Sequence, residues 1–158
     1  MAIVLEPVGH VRGGRAQAVD DNWGDVRAVI ELDYARFGAE ALAELESFSH
    51  LIVIFHFHAA DPAKIEVLAR HPRNNPAWPK AGIFAQRGKN RPNQLGFSTC
   101  QILKVEGTRV FVQGLDAIDG TPVLDLKPFM RAFEPRVEVK EPAWAGELMA
   151  NYWLASVL

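Results

Sequence analysis

Apolar and polar residues alternate along residues 26–33, 97–105 and 108–113, which predicts strands with one buried face. The last two runs meet across Glu106-Gly107 and read as a hairpin. Residues 3–11 and 123–127 are rich in apolar and β-branched side chains and read as further strands, the second following the Asp119-Gly120 turn. Residues 49–58 give the clearest strand of all. Helical spacing is rarer. A short helix is expected over residues 39–45, and another over 62–70, opened by Asp61 as N-cap and Pro62 at the first helical position. An amphipathic terminal helix is expected over 144–154. The segment His71-Pro72-Arg73-Asn74-Asn75-Pro76-Ala77-Trp78-Pro79 carries three prolines that exclude regular structure, and it predicts a long functional loop.

Strands outnumber helices and come mostly without crossover helices between them. The expected fold is therefore mainly β: a small antiparallel β-barrel with a few short helices. The 158 residues suit one domain, with the barrel over residues 1–130 and a C-terminal tail over 131–158 whose short helix packs on the same domain. Hydrophobic residues at 49% and charged residues at 23% exclude a disordered or fibrous chain. The longest apolar run, 51–57, is too short to cross a bilayer, and the first residues lack the basic region of a secretory signal, so no membrane association is expected. A single cysteine, Cys100, permits no internal disulfide and suits a cytoplasmic protein. Neither a G-x-G-x-x-G turn nor a Walker loop occurs, so any nucleotide-like cofactor must be held differently.

The net charge of −2 conceals a strong segregation. No acidic residue lies between Glu66 and Glu106, a stretch holding Arg70, Arg73, Lys80, Arg87, Lys89, Arg91 and Lys104. The rest of the chain is correspondingly acidic. Arg70, Arg73, Lys80 and Lys89 are candidates for phosphate contacts to a nucleic acid, and Trp78 is a candidate for stacking on an unpaired base. The plain alternatives are a solvated loop and a tryptophan packed among prolines.

Three groups of residues could carry chemistry. His50, His56 and His58 share one face of a strand, but with no accompanying cysteine or H-x-x-x-H spacing they favour hydrogen bonding or packing, and no metal is expected. Arg87 and Arg91 offer planar forks for a carboxylate or phosphate, and Asn93 can donate or accept; the alternative is a turn pinned by Pro92 and Gly96. Asp116, Asp119 and Asp125 follow in close succession. Asp119 by default caps its own turn, Lys127 is placed to neutralise Asp125, and Asp116 sits beside apolar residues where a carboxylate needs a partner.

Leu45-Glu-Ser-Phe-Ser-His-Leu-Ile-Val53, Gly82-Ile-Phe-Ala-Gln-Arg87, Arg91-Pro-Asn-Gln-Leu-Gly96 and Leu115-Asp-Ala-Ile-Asp-Gly-Thr-Pro-Val-Leu-Asp-Leu-Lys-Pro128 occur in order at sensible spacing. Together they resemble the TsaA-like family, which includes the TrmO-type tRNA (adenine-N6)-methyltransferases, over residues 8–129. The resemblance implies a small β-barrel and a homodimer with an S-adenosyl-L-methionine site near the subunit interface. It also implies methylation of the exocyclic nitrogen of threonylcarbamoyl-adenosine beside the tRNA anticodon. By motif position His58, Arg87, Phe97, Leu115 and Asp116 would line the cofactor pocket, with Arg91 and Asn93 next to it, and Asp116 or Asp119 would take the proton of the attacking nitrogen. The chain departs from the family's pattern in three places. Asp21-Asn22-Trp23 stands where active members carry Pro-Arg-Gln, Asn93-Gln-Leu-Gly96 replaces Asn-Pro-Ile-Gly, and Lys127-Pro-Phe129 replaces Lys-Pro-Tyr. A non-catalytic module binding S-adenosylmethionine or RNA, and a metal-dependent hydrolase on the three histidines, are the rival readings.

Overall fold

In the computed structural model, which describes residues 1–156, six strands close into an antiparallel barrel. The strands are β1 (Gly9–Arg12), β2 (Arg27–Leu32), β3 (His50–His56), β6 (Leu95–Glu106), β7 (Arg109–Gln113) and β8 (Pro122–Pro128). Their order around the barrel is β1-β2-β7-β6-β3-β8, with β8 returning to β1. A separate two-stranded ladder pairs β4 (Ala69–Arg70) with β5 (Ala81–Gly82) in the long connection between β3 and β6. Alternation decides which side chains face inward. Leu51, Val53 and Phe55 of β3, Val110 and Val112 of β7, and Val11, Ile30 and Val123 fill the interior. Each such burial stabilises the fold by about 1.5–3 kcal/mol before chain entropy is counted. Gly96 is required where it stands, because a Cβ there would overlap the buried ring of Phe55 on the neighbouring strand.

Several expected elements are shorter than the pattern suggested. Of residues 3–11 only the part from Gly9 enters a strand; Pro7 has no N–H to pair, and Ile3, Val4 and Leu5 remain exposed. Residues 39–45 form 3-10 turns at Ala39–Leu42 and Leu45–Ser47, separated by an extended Ala43 and a left-handed Glu44. The helix expected over 62–70 is the single 3-10 turn Pro62–Lys64. Asp61 caps it by accepting from the Ala63 N–H at 2.9 Å, but Glu66 then accepts from the Val67 and Leu68 N–H groups and diverts the backbone. The terminal helix α1 spans Ala143–Met149 and stops before 151–154, whose carbonyls pair with the β1–β2 loop instead.

The chain leaves β8 at one end of the barrel, beside His50, where the Phe129 N–H bonds the His50 carbonyl. It comes back to the opposite end by Asn151. There the N–H groups of Asn22, Trp23 and Gly24 donate to the carbonyls of Asn151, Tyr152 and Leu154 at 3.1, 2.8 and 3.3 Å. Glu147 of α1 accepts from the Trp78 indole at 2.7 Å, and Ser156 donates to Asp25. Those two donors, the Ser156 hydroxyl first and then its backbone N–H, lower the pKa of the Asp25 carboxyl.

Candidate active site at the loop end of the barrel

Antiparallel order sends three connections out of the same barrel end: residues 13–26 after β1, 57–94 after β3 and 114–121 after β7. Every candidate cofactor residue lies in these loops or on the strand ends beside them. A concavity of about 400 Å³ lined by Glu31, Tyr34, Thr108 and Arg109 sits at the other end, away from these groups.

Phe97 is on the outward face of β6, level with Ile54 on β3, and its ring is half exposed. Arg87 reaches it from the loop. Its Nη2 donates to the Phe97 carbonyl at 2.8 Å, and the guanidinium carbon lies 5.7 Å from the ring centroid. Asp116 follows the buried Leu115 just past β7. Its Oδ2 accepts a hydrogen bond from the Tyr152 hydroxyl, while its Oδ1 is buried with no hydrogen-bond partner among the described residues. Burial, then the Asp116 charge, pushes the Tyr152 phenol far above its ordinary pKa, while Arg73 and Arg87 are near enough to pull it the other way. Beneath them Cys100 is buried in the barrel, its thiol pushed up to about 12 by desolvation and then by Asp116. Two pairs thus stand at this end of the barrel, Arg87 on Phe97 and Tyr152 on Asp116, with Arg87 near enough to act on the Tyr152 phenol through its charge.

The other candidates play supporting parts. Arg91 donates from Nη1 to the Gln86 carbonyl at 2.6 Å, and Gln86 in turn donates to the carbonyls of Arg70 and Ala81. That network fixes the loop bearing Arg87. Asn93 is exposed in the left-handed region at φ 62°. Leu115 is wholly buried in the barrel core, so its side chain packs and holds Asp116 rather than offering surface. Asp119 accepts from the Gly13 N–H at 2.8 Å, bridging two loops instead of its own turn. His58 stands exposed beyond β3, near Gly120, so it does not continue the outward face that His50 and His56 share. No group of histidine, cysteine or carboxylate ligands suited to a metal occurs among the described residues. Lys127 pairs with Asp125 at 3.0 Å, as the spacing suggested.

Of the basic residues, Lys80 and Lys89 are exposed. Arg73 is already engaged: it meets both oxygens of Asp21, at 2.9 and 3.3 Å. Arg70 is half-buried in β4, and its Nε has no hydrogen-bond partner among the described residues. Trp78 is half-buried, and its indole N–H donates to Glu147 at 2.7 Å.

The profile of the tRNA-methyltransferase O N-terminal domain matches residues 18–134. The chain belongs to that family. A human tRNA (adenine(37)-N6)-methyltransferase is 38% identical over 111 residues, covering 70% of this chain and 25% of the human one. A probable S-adenosyl-L-methionine-binding protein of Pyrococcus abyssi is 35% identical over 116 residues, covering 73% of this chain and 59% of its own length. The crystal structure of TrmO from Pseudomonas aeruginosa superposes with a TM-score of 0.71 at 28% identity, over 89% of this chain and 62% of that one. The chain therefore spans between a quarter and three fifths of these two curated relatives. Within the tRNA-methyltransferase O domain the matched segment holds Arg87, Phe97 and Asp116 but ends before Tyr152. Nothing in the periodicity or the motifs singles out that tyrosine. Its only local signal is a hydroxyl among the apolar residues of a segment expected to be amphipathic helix.

No helix among the described residues is long and apolar enough to cross a membrane.

Proposed function

We propose that the chain binds S-adenosylmethionine at the loop end of the barrel and transfers its methyl group to the exocyclic nitrogen of adenosine 37 in tRNA, the activity named for the human relative. The acceptor is the threonylcarbamoyl form of that adenosine. In this reading residues 1–130 are the catalytic barrel and 131–158 its tail, and the protein works in the cytoplasm. The observation that carries the proposal is the presence at one barrel end of an arginine on a half-exposed aromatic ring and of a buried carboxylate oxygen with no hydrogen-bond partner among the described residues.

These groups fit the cofactor's chemistry. The Arg87 guanidinium suits a carboxylate, the Phe97 face suits an adenine, and Asp116 Oδ1 is an acceptor that burial leaves in need of a donor such as an ammonium. His58, Arg91 and Asn93 complete the rim. When bound, S-adenosylmethionine supplies a methyl group already activated by a sulfonium leaving group, so positioning is the main demand on the protein. The Arg91–Gln86 network and the tail meet that demand by holding Arg87 and Asp116. Asp119, with one oxygen engaged by Gly13, is the candidate to receive the proton from the attacking nitrogen, because Asp116 has one oxygen held by Tyr152 and offers the other to the cofactor's ammonium.

Lys80, Lys89, Arg70 and Arg73 form the tRNA-facing surface, with Arg73 needing to leave Asp21 to reach a phosphate. A second copy of the chain covers the exposed apolar residues Val67, Leu68 and Phe84 beside this end, making the homodimer. The test is incubation of purified protein with tRNA and methyl-labelled S-adenosylmethionine. Label on adenosine 37 is expected; cofactor binding without transfer to any tRNA would leave a non-catalytic module.

A further inference from the structure

Asp116 is held by a residue that the family profile does not reach. The Tyr152 hydroxyl donates to Oδ2, and Tyr152 is placed by backbone pairing of 151–154 with 22–24, by the Trp78–Glu147 bond, and by Ser156 on Asp25. Contact with that tail is close enough that a Cβ on Gly24 would overlap the Trp153 carbonyl. The carboxylate therefore has one oxygen fixed by the tail and one, Oδ1, buried with no hydrogen-bond partner among the described residues. A buried carboxylate oxygen without a donor is costly, and a ligand bringing a donor to that point would relieve the cost.

We propose that Tyr152 is a positioning residue for the cofactor: its hydroxyl holds Oδ2 of Asp116 and leaves Oδ1 as the acceptor offered to the amino group of S-adenosylmethionine. The proposal rests on the reading of Asp116 as a cofactor contact. It makes the C-terminal tail part of the binding site rather than packing alone. Burial keeps the phenol protonated throughout the physiological range, so it stays a donor.

The test is calorimetric binding of S-adenosylmethionine and of its demethylated product to the full chain and to Tyr152→Phe, Asp116→Ala, Gly24→Ala and the Tyr152→Phe/Asp116→Ala double variant. Tyr152→Phe keeps the ring and removes only the hydroxyl. It should weaken binding about tenfold. The double variant should bind no more weakly than Asp116→Ala alone, because the tyrosine acts only through the carboxylate. Gly24→Ala, which displaces the tail from a different point, should weaken binding similarly. In turnover, Tyr152→Phe should raise the KM for S-adenosylmethionine while sparing kcat at saturation, a split that a general loss of folding would not give. Wild-type affinity in Tyr152→Phe, tighter binding in it, or additive losses in the double variant would overturn the proposal. A wild-type chain that does not bind, or Asp116→Ala binding normally, would instead overturn the reading of the site itself, and the proposal with it.

Discussion

Replacing Arg87 with alanine separates ligand binding from stability, because the guanidinium does little for the fold. In the free protein it makes one exposed hydrogen bond to the Phe97 carbonyl and a long cation–π contact with that ring. Each is worth about 0.5–1 kcal/mol at an exposed position, so the variant should lose roughly 1–2 kcal/mol of stability. Bound to a cofactor carboxylate, the same group would form charge-assisted hydrogen bonds worth about 1.5–3 kcal/mol. That corresponds to a Kd roughly 10- to 150-fold higher. Arg87→Lys should recover part of the loss, since it restores the charge but not the planar fork. Calorimetry with S-adenosylmethionine and its demethylated product, beside thermal unfolding of the same samples, measures both quantities. Binding by Arg87→Ala within twofold of the wild type, or complete restoration by lysine, would rule out a bidentate contact of Arg87 with the cofactor carboxylate.

Three further outcomes follow from the geometry. Gly96→Ala should destabilise by about 1–3 kcal/mol, lowering the melting temperature by several degrees, because its methyl enters the space of the Phe55 ring; Phe55→Leu in the same chain should restore part of the loss. Cys100, with its pKa near 12, should resist iodoacetamide at pH 9 in the folded protein and react promptly once unfolded. Since the fold raises this pKa above the free value of 9.0, the stability tied to it is present below pH 9 and declines as the pH climbs from there toward 12. Changing Lys80 or Lys89 to alanine should weaken tRNA binding evenly across sequences and lower the salt slope by roughly one per contact, measured by filter binding at several salt concentrations.

The barrel was legible in the sequence because period-two alternation is a local property. Leu51, Val53 and Phe55 point inward as their spacing requires, and β6 and β7 form the hairpin expected around Gly107. The Asp125–Lys127 pair was likewise readable from two positions on one strand face. Helical spacing over 62–70 misled, because Glu66 captures the backbone N–H groups that the next turn would have needed. The least legible contacts join distant residues. Arg73 meets Asp21 across 52 positions and Tyr152 meets Asp116 across 36, and no local periodicity encodes either. The motifs singled out Arg87, Phe97 and Asp116 as candidates; only the fold supplied the tyrosine that holds the carboxylate.

The proposed methyl transfer to the modified adenosine can be read from the mass of nucleosides released from tRNA after incubation with the protein and S-adenosylmethionine. Two tRNA samples serve, one carrying the threonylcarbamoyl group and one lacking it. A gain of one methyl group on threonylcarbamoyl-adenosine, absent without protein and strongly reduced in Arg87→Ala, is the expected result. Methylation of the unmodified adenosine alone, or no added methyl in either sample while the cofactor binds, would contradict the account.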